Sequence, residues 1–106
     1  MNFIVAKKSS ENGLLLVVTD FDILGKSFEE EKVQLDLTKK FYKGEEKNKE
    51  EVKKLIKESR HVHLTGKEAV ALGIEMGLVD SKKILYVQKV PHAEVLLEWW
   101  IVFKVD

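Results

Sequence analysis

Three histidines, a single arginine and lysines interleaved with aromatic rings are the side chains whose types and spacing could do chemistry in this chain. The densest stretch is Lys39-Lys40-Phe41-Tyr42-Lys43, with Lys47 close behind. Cations alternating with rings suit a single-stranded nucleic acid, since phosphates can meet the ammonium groups while bases stack on Tyr42. Further on, at 100° per residue, Lys49, Lys53, Lys57 and Arg60 fall within about an 80° stripe of one helix, beside its apolar edge at Ile56. A plainer account of the same residues is a solvated helix with Glu50 and Lys54 in i,i+4 register and Phe41 plugging the core. Salt-sensitive RNA binding separates the two accounts, because displaced counterions make affinity fall with salt.

The histidines offer different chemistry. In an extended segment His61 and His63 project from one face, and His92 could add a third imidazole, the ligand count of an open zinc site that ionises a bound water. Nothing in the spacing brings His92 near the other two. Ordinary polar histidines at a helix terminus and a strand start are the commoner outcome, so neither a metal nor a cofactor nor a catalytic residue is assigned. Pro91 is expected to end a ladder, and His92 to bond a neighbouring backbone group and fix the bend. Gly66-Lys67 lacks the upstream glycines of a phosphate loop. Thr65, three residues before Glu68, reads better as a helix cap than as part of an anion site.

The elements that must position these residues follow from periodicity. Phe3–Lys8 and Leu14–Thr19, joined through Asn12-Gly13, predict an antiparallel hairpin whose second strand is internal, because Leu14 to Val18 is apolar without alternation. Residues 20–32 form an acidic connection with a helical turn expected after Ser27, where Glu30 stands at capping-box distance. Val33, Leu35 and Leu37 alternate with polar residues as in a strand with one wet face. Asn48 and Glu51 cap an amphipathic helix over Lys49–Arg60, and a second, mostly buried helix over Lys67–Met76 stops at Gly77. Ile84–Val87 is a strand, and from Ala93 alternate residues are apolar to Val105, predicting a long last strand over residues 93–105. This is an α+β pattern: one domain over residues 1–106, a mostly antiparallel sheet of about five or six strands, and two main helices, one amphipathic and one buried.

Bulk properties narrow the classes. The chain has 106 residues, enough for one core, and no cysteine, which excludes disulfides, thiolate zinc sites and iron–sulfur clusters. Charged residues make up 34%, nearly all Lys and Glu, as on the ion-pair-rich surfaces of heat-adapted proteins. No apolar run reaches the roughly 20 residues of a membrane span, and the start does not read as a signal peptide, so a cytoplasmic protein is expected. The net charge is zero but uneven, with acids gathered in residues 20–36 and bases in residues 38–67.

Three signatures in order, Phe41-Tyr42-Lys43-Gly44, Leu64-Thr65-Gly66-Lys67-Glu68-Ala69-Val70 and Val90-Pro91-His92-Ala93, give the chain a resemblance to a family of small archaeal proteins, domain of unknown function 424. Leu24-Gly25 and Gly77-Leu78-Val79 fit the same pattern, and the resemblance spans roughly residues 3 to 96. It marks Phe41, Tyr42, Gly44, Gly66, Pro91 and His92 as motif positions and implies no established activity, although such proteins have sometimes been labelled RNA-binding. His63 departs from the family pattern, and the Trp99-Trp100 tail looks extended.

The leading expectation is therefore a non-enzymatic accessory module binding RNA, in archaeal translation or related processes, through Lys39, Lys40, Tyr42, Lys43, Lys49, Lys53, Lys57 and Arg60. The alternative is a protein-interaction or homodimerisation domain using residues 93–105, where Leu96, Trp100 and Val102 share the mixed side of the strand. A small metal-dependent hydrolase comes third.

Overall fold

The computed structural model describes residues 2–11 and 13–97; the expectations resting on Asn12, Trp99, Trp100, Val102 and the rest of residues 98–106 lie outside them. Among the described residues, eight strands and two α-helices make an α+β domain. β1 (Asn2–Ser10) and β2 (Gly13–Asp20) form the predicted hairpin, and Gly13 takes a φ of 112° that glycine tolerates without cost. After a 3-10 turn at Phe21–Ile23 come β3 (Ser27–Glu30) and β4 (Val33–Asp36), paired only with each other. A second 3-10 turn at Lys40–Tyr42 leads into β5 (Glu45–Asn48), then α1 (Lys49–Lys57), β6 (His61–Thr65), α2 (Lys67–Glu75), β7 (Leu85–Val87) and β8 (Val90–Leu96).

The main sheet has the order β5-β1-β2-β6-β8-β7. Its pairs are antiparallel except β2 with β6. β2 is internal, as its unbroken apolar run demands, with Leu16, Val17 and Val18 fully buried. Both helices lie on one face of the sheet. There Phe3, Val5, Leu16, Val18, Val62, Leu64, Ala93 and Val95 pack against Val52 and Ile56 of α1 and Ala69, Val70 and Leu72 of α2. Among the described residues, the other face is covered at one end by residues 21–44.

Four departures from the sequence reading have identifiable causes. Ser27–Glu30 is a strand and not a helical turn, because its backbone pairs with Val33–Asp36 in a register that buries Leu35 beside Phe28. Glu45–Asn48 carries no apolar signal, yet it pairs with Asn2–Val5 as a fully polar edge strand. α2, apolar nearly all round, is buried on only one side: Ala69, Val70, Leu72 and Gly73 face the core while Ile74 is 45% exposed, so the helix lies on the core instead of within it. Pro91 stands inside β8, opposite Tyr86. Its carbonyl accepts from the Gly66 N–H, so its nitrogen faces the same way, toward a Gly66 carbonyl already taken by the Val70 N–H. No ladder bond is lost, and the proline is tolerated.

The start of α2 is also capped differently from the expectation. Thr65 turns its hydroxyl to His92, and the cap comes from Asp20 at the end of β2, whose carboxylate accepts from the Glu68 and Ala69 N–H groups at 2.9 and 2.8 Å. Burial pushes the Asp20 carboxyl above its ordinary value, against the pull of those two donors. A glycine is required at the N-cap, residue 66, where φ is 110° and a Cβ would overlap that carboxylate.

Candidate functional site

The histidines and their partners gather on the sheet face away from the helices, at the edge of the cover formed by residues 21–44. Period-two alternation sends His61, His63 and Thr65 of β6 to that face. Across the β6–β8 ladder, His61 stands opposite Leu96, His63 opposite Glu94 and Thr65 opposite His92. Directly opposed residues point the same way, so three imidazoles and one carboxylate converge. Glu94 Oε1 lies 3.6 Å from His61 Nε2 and 3.5 Å from His63 Nε2, while Oε2 lies 3.7 Å from His92 Nε2. His92 is held in place by a 2.7 Å hydrogen bond between its Nδ1 and the buried Thr65 hydroxyl, not by a backbone group.

Rings continue outward from this cluster. His63 is 4.7 Å from His61, 5.7 Å from His92 and 5.3 Å from Phe41, centroid to centroid, and Phe41 meets Tyr42 edge-on at 5.1 Å. Lys8 of β1 places its ammonium 5.2 Å from the Phe41 ring centre, close enough for cation–π attraction. The 3-10 turn at Lys40–Tyr42 brings Phe41 here, and Gly44 lets the chain press against β1, since a Cβ there would overlap the Val5 carbonyl.

Two depressions flank Lys8. One, of about 290 Å³, is lined by Lys7, Lys8, Lys43, Glu45 and Lys47; the other, of about 230 Å³, has Lys8, Arg60, His61, Leu15 and Leu96 among its walls. Lys39, Lys40 and Lys43 are exposed around the turn.

The cation stripe of α1 does not join this surface. α1 packs on the opposite face of the sheet, and there Lys49 and Lys53 both bind Glu75 of α2 at 3.0 Å. Only Arg60, beyond the helix end, reaches the ring-bearing side through the smaller depression. The acids of residues 20–36, a possible source of neutralisation, are not what quenches Lys49 and Lys53. Leu96, an expected interface residue, is 65% exposed on the same face as His61.

Electrostatically, burial favours the neutral forms of His63 and His92. Burial lowers the His63 imidazolium below the ordinary 6.5, opposed by Glu94 and reinforced by His61 and His92; burial lowers His92 as well, again opposed by Glu94. Burial first, then Glu94 and Asp36, pushes the Tyr42 phenol up. The sign for stability follows directly. Between the depressed values and about 6.5 the unfolded chain binds protons that the folded chain refuses, so this contribution is whole above about pH 6.5 and is lost as pH falls. Metal-free protein should melt lower at about pH 5.5 than at about pH 7.5, and His92→Gln should lose part of that dependence in circular-dichroism melts. Equal pH dependence in both proteins would remove the histidine as its source.

Sequence reasoning did not single out Glu94 or Lys8. Glu94 was legible as the strand neighbour two residues from His92, but its partnership with His63 depends on the pairing of β6 with β8.

Comparison with known proteins adds kinship without an activity. No curated protein matches the chain. A crystal structure of an uncharacterized conserved protein from Methanopyrus kandleri is similar in fold, with a TM-score of 0.74 at 17% identity over 92% of this chain and 95% of that one. The family model described as "Protein of unknown function (DUF424)" matches residues 7–97. The signatures at Phe41–Gly44, Leu64–Val70 and Val90–Ala93 all fall within that match, and the chain belongs to the DUF424 family.

Proposed function

We propose that the protein is a single-stranded RNA-binding module whose contact surface is the ring-bearing end of the open sheet face. The observation that carries this reading is the contact series Tyr42, Phe41, His63, His61 flanked by Lys8, with Lys43 beside it in the wall of the larger depression. Bases stack on aromatic and imidazole rings with little regard to sequence, and ammonium groups beside those rings meet the phosphates. The α1 stripe is not part of this surface, because Glu75 already engages Lys49 and Lys53. Lys39 and Lys40, immediately before Phe41 in the chain, extend the cations along the path of the RNA.

A fluorescence-anisotropy titration with a mixed-sequence single-stranded RNA tests the reading. Binding is expected at about 50 mM salt, weakening by at least tenfold at about 300 mM as counterion release loses its drive. Absence of binding at the lower salt removes the proposal.

A further inference from the structure

We propose that His61, His63 and Glu94 form a binding site for a divalent transition-metal ion of the zinc class, with His92 steadying the carboxylate from its other oxygen. One ligand atom from each of His61, His63 and Glu94 lies within 4.8 Å of the others. The 3.5 to 3.7 Å separations between the imidazole Nε2 atoms and the carboxylate oxygens are too long for hydrogen bonds. They are instead close to the roughly 3.3 Å edge of a tetrahedron built on metal–ligand bonds of about 2.0 to 2.1 Å. The two imidazoles lie within 4.8 Å of each other, so completing the set takes a side-chain adjustment of up to about 1.5 Å, which the half-exposed His61 and the exposed Glu94 can supply.

The backbone supplies the preorganisation. His61 and His63 are two apart on one strand, and Glu94 is the direct cross-strand partner of His63, so all three ride on paired strands and not on a loop. Thr65 binds His92 Nδ1, which leaves His92 Nε2 turned to Glu94 Oε2. That is the kind of outer contact that orients a ligating carboxylate. Glu94 is 55% exposed at its side chain, so an ion can enter from solvent and keep a fourth position open. Two imidazoles and one carboxylate select borderline ions such as zinc over magnesium or calcium, which need oxygen-rich shells.

The chain has three histidines, all in this cluster, and no cysteine, so adventitious zinc sites are few and the test is clean. Untagged, metal-stripped full-length protein is titrated calorimetrically with zinc chloride, and separately with magnesium chloride. The site predicts one zinc per chain and no heat with magnesium. His63→Ala should weaken zinc binding by at least a hundredfold and Glu94→Gln by at least tenfold, in variants whose circular dichroism matches the parent. Lys53→Ala should leave zinc binding unchanged. Substoichiometric zinc, or a His63→Ala protein that binds as tightly as the parent, would overturn the inference. No RNA enters the titration, so the metal site and the RNA surface stand or fall separately.

Discussion

Gly66→Ala is expected to lower the melting temperature by roughly 15 to 25 °C. Residue 66 has φ 110° and ψ 161°, a region essentially reserved for glycine, and strain there costs about 1–3 kcal/mol. The added methyl would also overlap the Asp20 carboxylate, which caps α2 through the Glu68 and Ala69 N–H groups. Displacing that cap costs about 1–2 kcal/mol more. Together these remove about 2–5 kcal/mol, centred near 3.5 kcal/mol, and each kcal/mol moves the midpoint of a domain this size by about 4–8 °C. Gly25→Ala gives the comparison: φ is 86° but nothing stands within 4 Å of the new Cβ, so strain acts alone. A double-mutant cycle isolates the overlap, because in an Asp20→Ala background the Gly66→Ala penalty should shrink toward that of Gly25→Ala. If Gly66→Ala costs no more than Gly25→Ala, the close approach of β2 to the helix start is not what demands the glycine.

Replacing Lys8 and Lys43 by Glu together should reduce affinity for single-stranded RNA by about thirtyfold or more at low salt. Each lysine that meets a phosphate contributes close to one unit of the salt dependence, with a slope of about 0.7 per contact for single strands, so the double variant should also flatten the salt curve. Lys8 further loses its place over the Phe41 ring, a smaller effect of about 0.5–1 kcal/mol. The matched control is Lys49→Glu with Lys53→Glu, which lies on the helical face and removes cations already bound to Glu75. Its affinity should stay within about threefold of the parent, the residue of long-range charge effects. Were the control pair to weaken binding as much as Lys8 and Lys43, the contact surface would lie along α1, and the ring-bearing face would lose its assignment.

Much of this architecture was legible because local signals and tertiary demands agreed. Asn48 and Glu51 do form the reciprocal capping box, with the Asn48 side chain accepting from the Glu51 N–H at 2.9 Å and Glu51 accepting from the Asn48 N–H at 3.1 Å. Gly77, with φ 74°, ends α2 as its position implied. Where local signals pointed elsewhere, distant partners decided. Ser27 and Glu30 have capping-box spacing, but β4 offered a ladder. Thr65 has the chemistry of a cap, but Asp20 arrives from another strand and His92 claims the hydroxyl.

The candidate site divides in the same way. That His61 and His63 share a side follows from the two-residue period alone. That His92 and Glu94 join them requires β6 and β8 to be neighbours, which no spacing along the chain encodes. The lysines misled for the converse reason: a helical stripe is visible in sequence, whereas the Glu75 that answers it belongs to another helix.

β5, the polar strand that closes one side of the sheet, has a consequence for behaviour in a crowded solution. A border strand normally offers its spare amide and carbonyl groups to any extended polypeptide that drifts past. Here that border is four residues long and reads Glu45-Glu46-Lys47-Asn48, so a newcomer would have to desolvate charges along its whole length without gaining an oily surface in return. Along this flank the short charged strand disfavours strand-by-strand stacking of one copy on another.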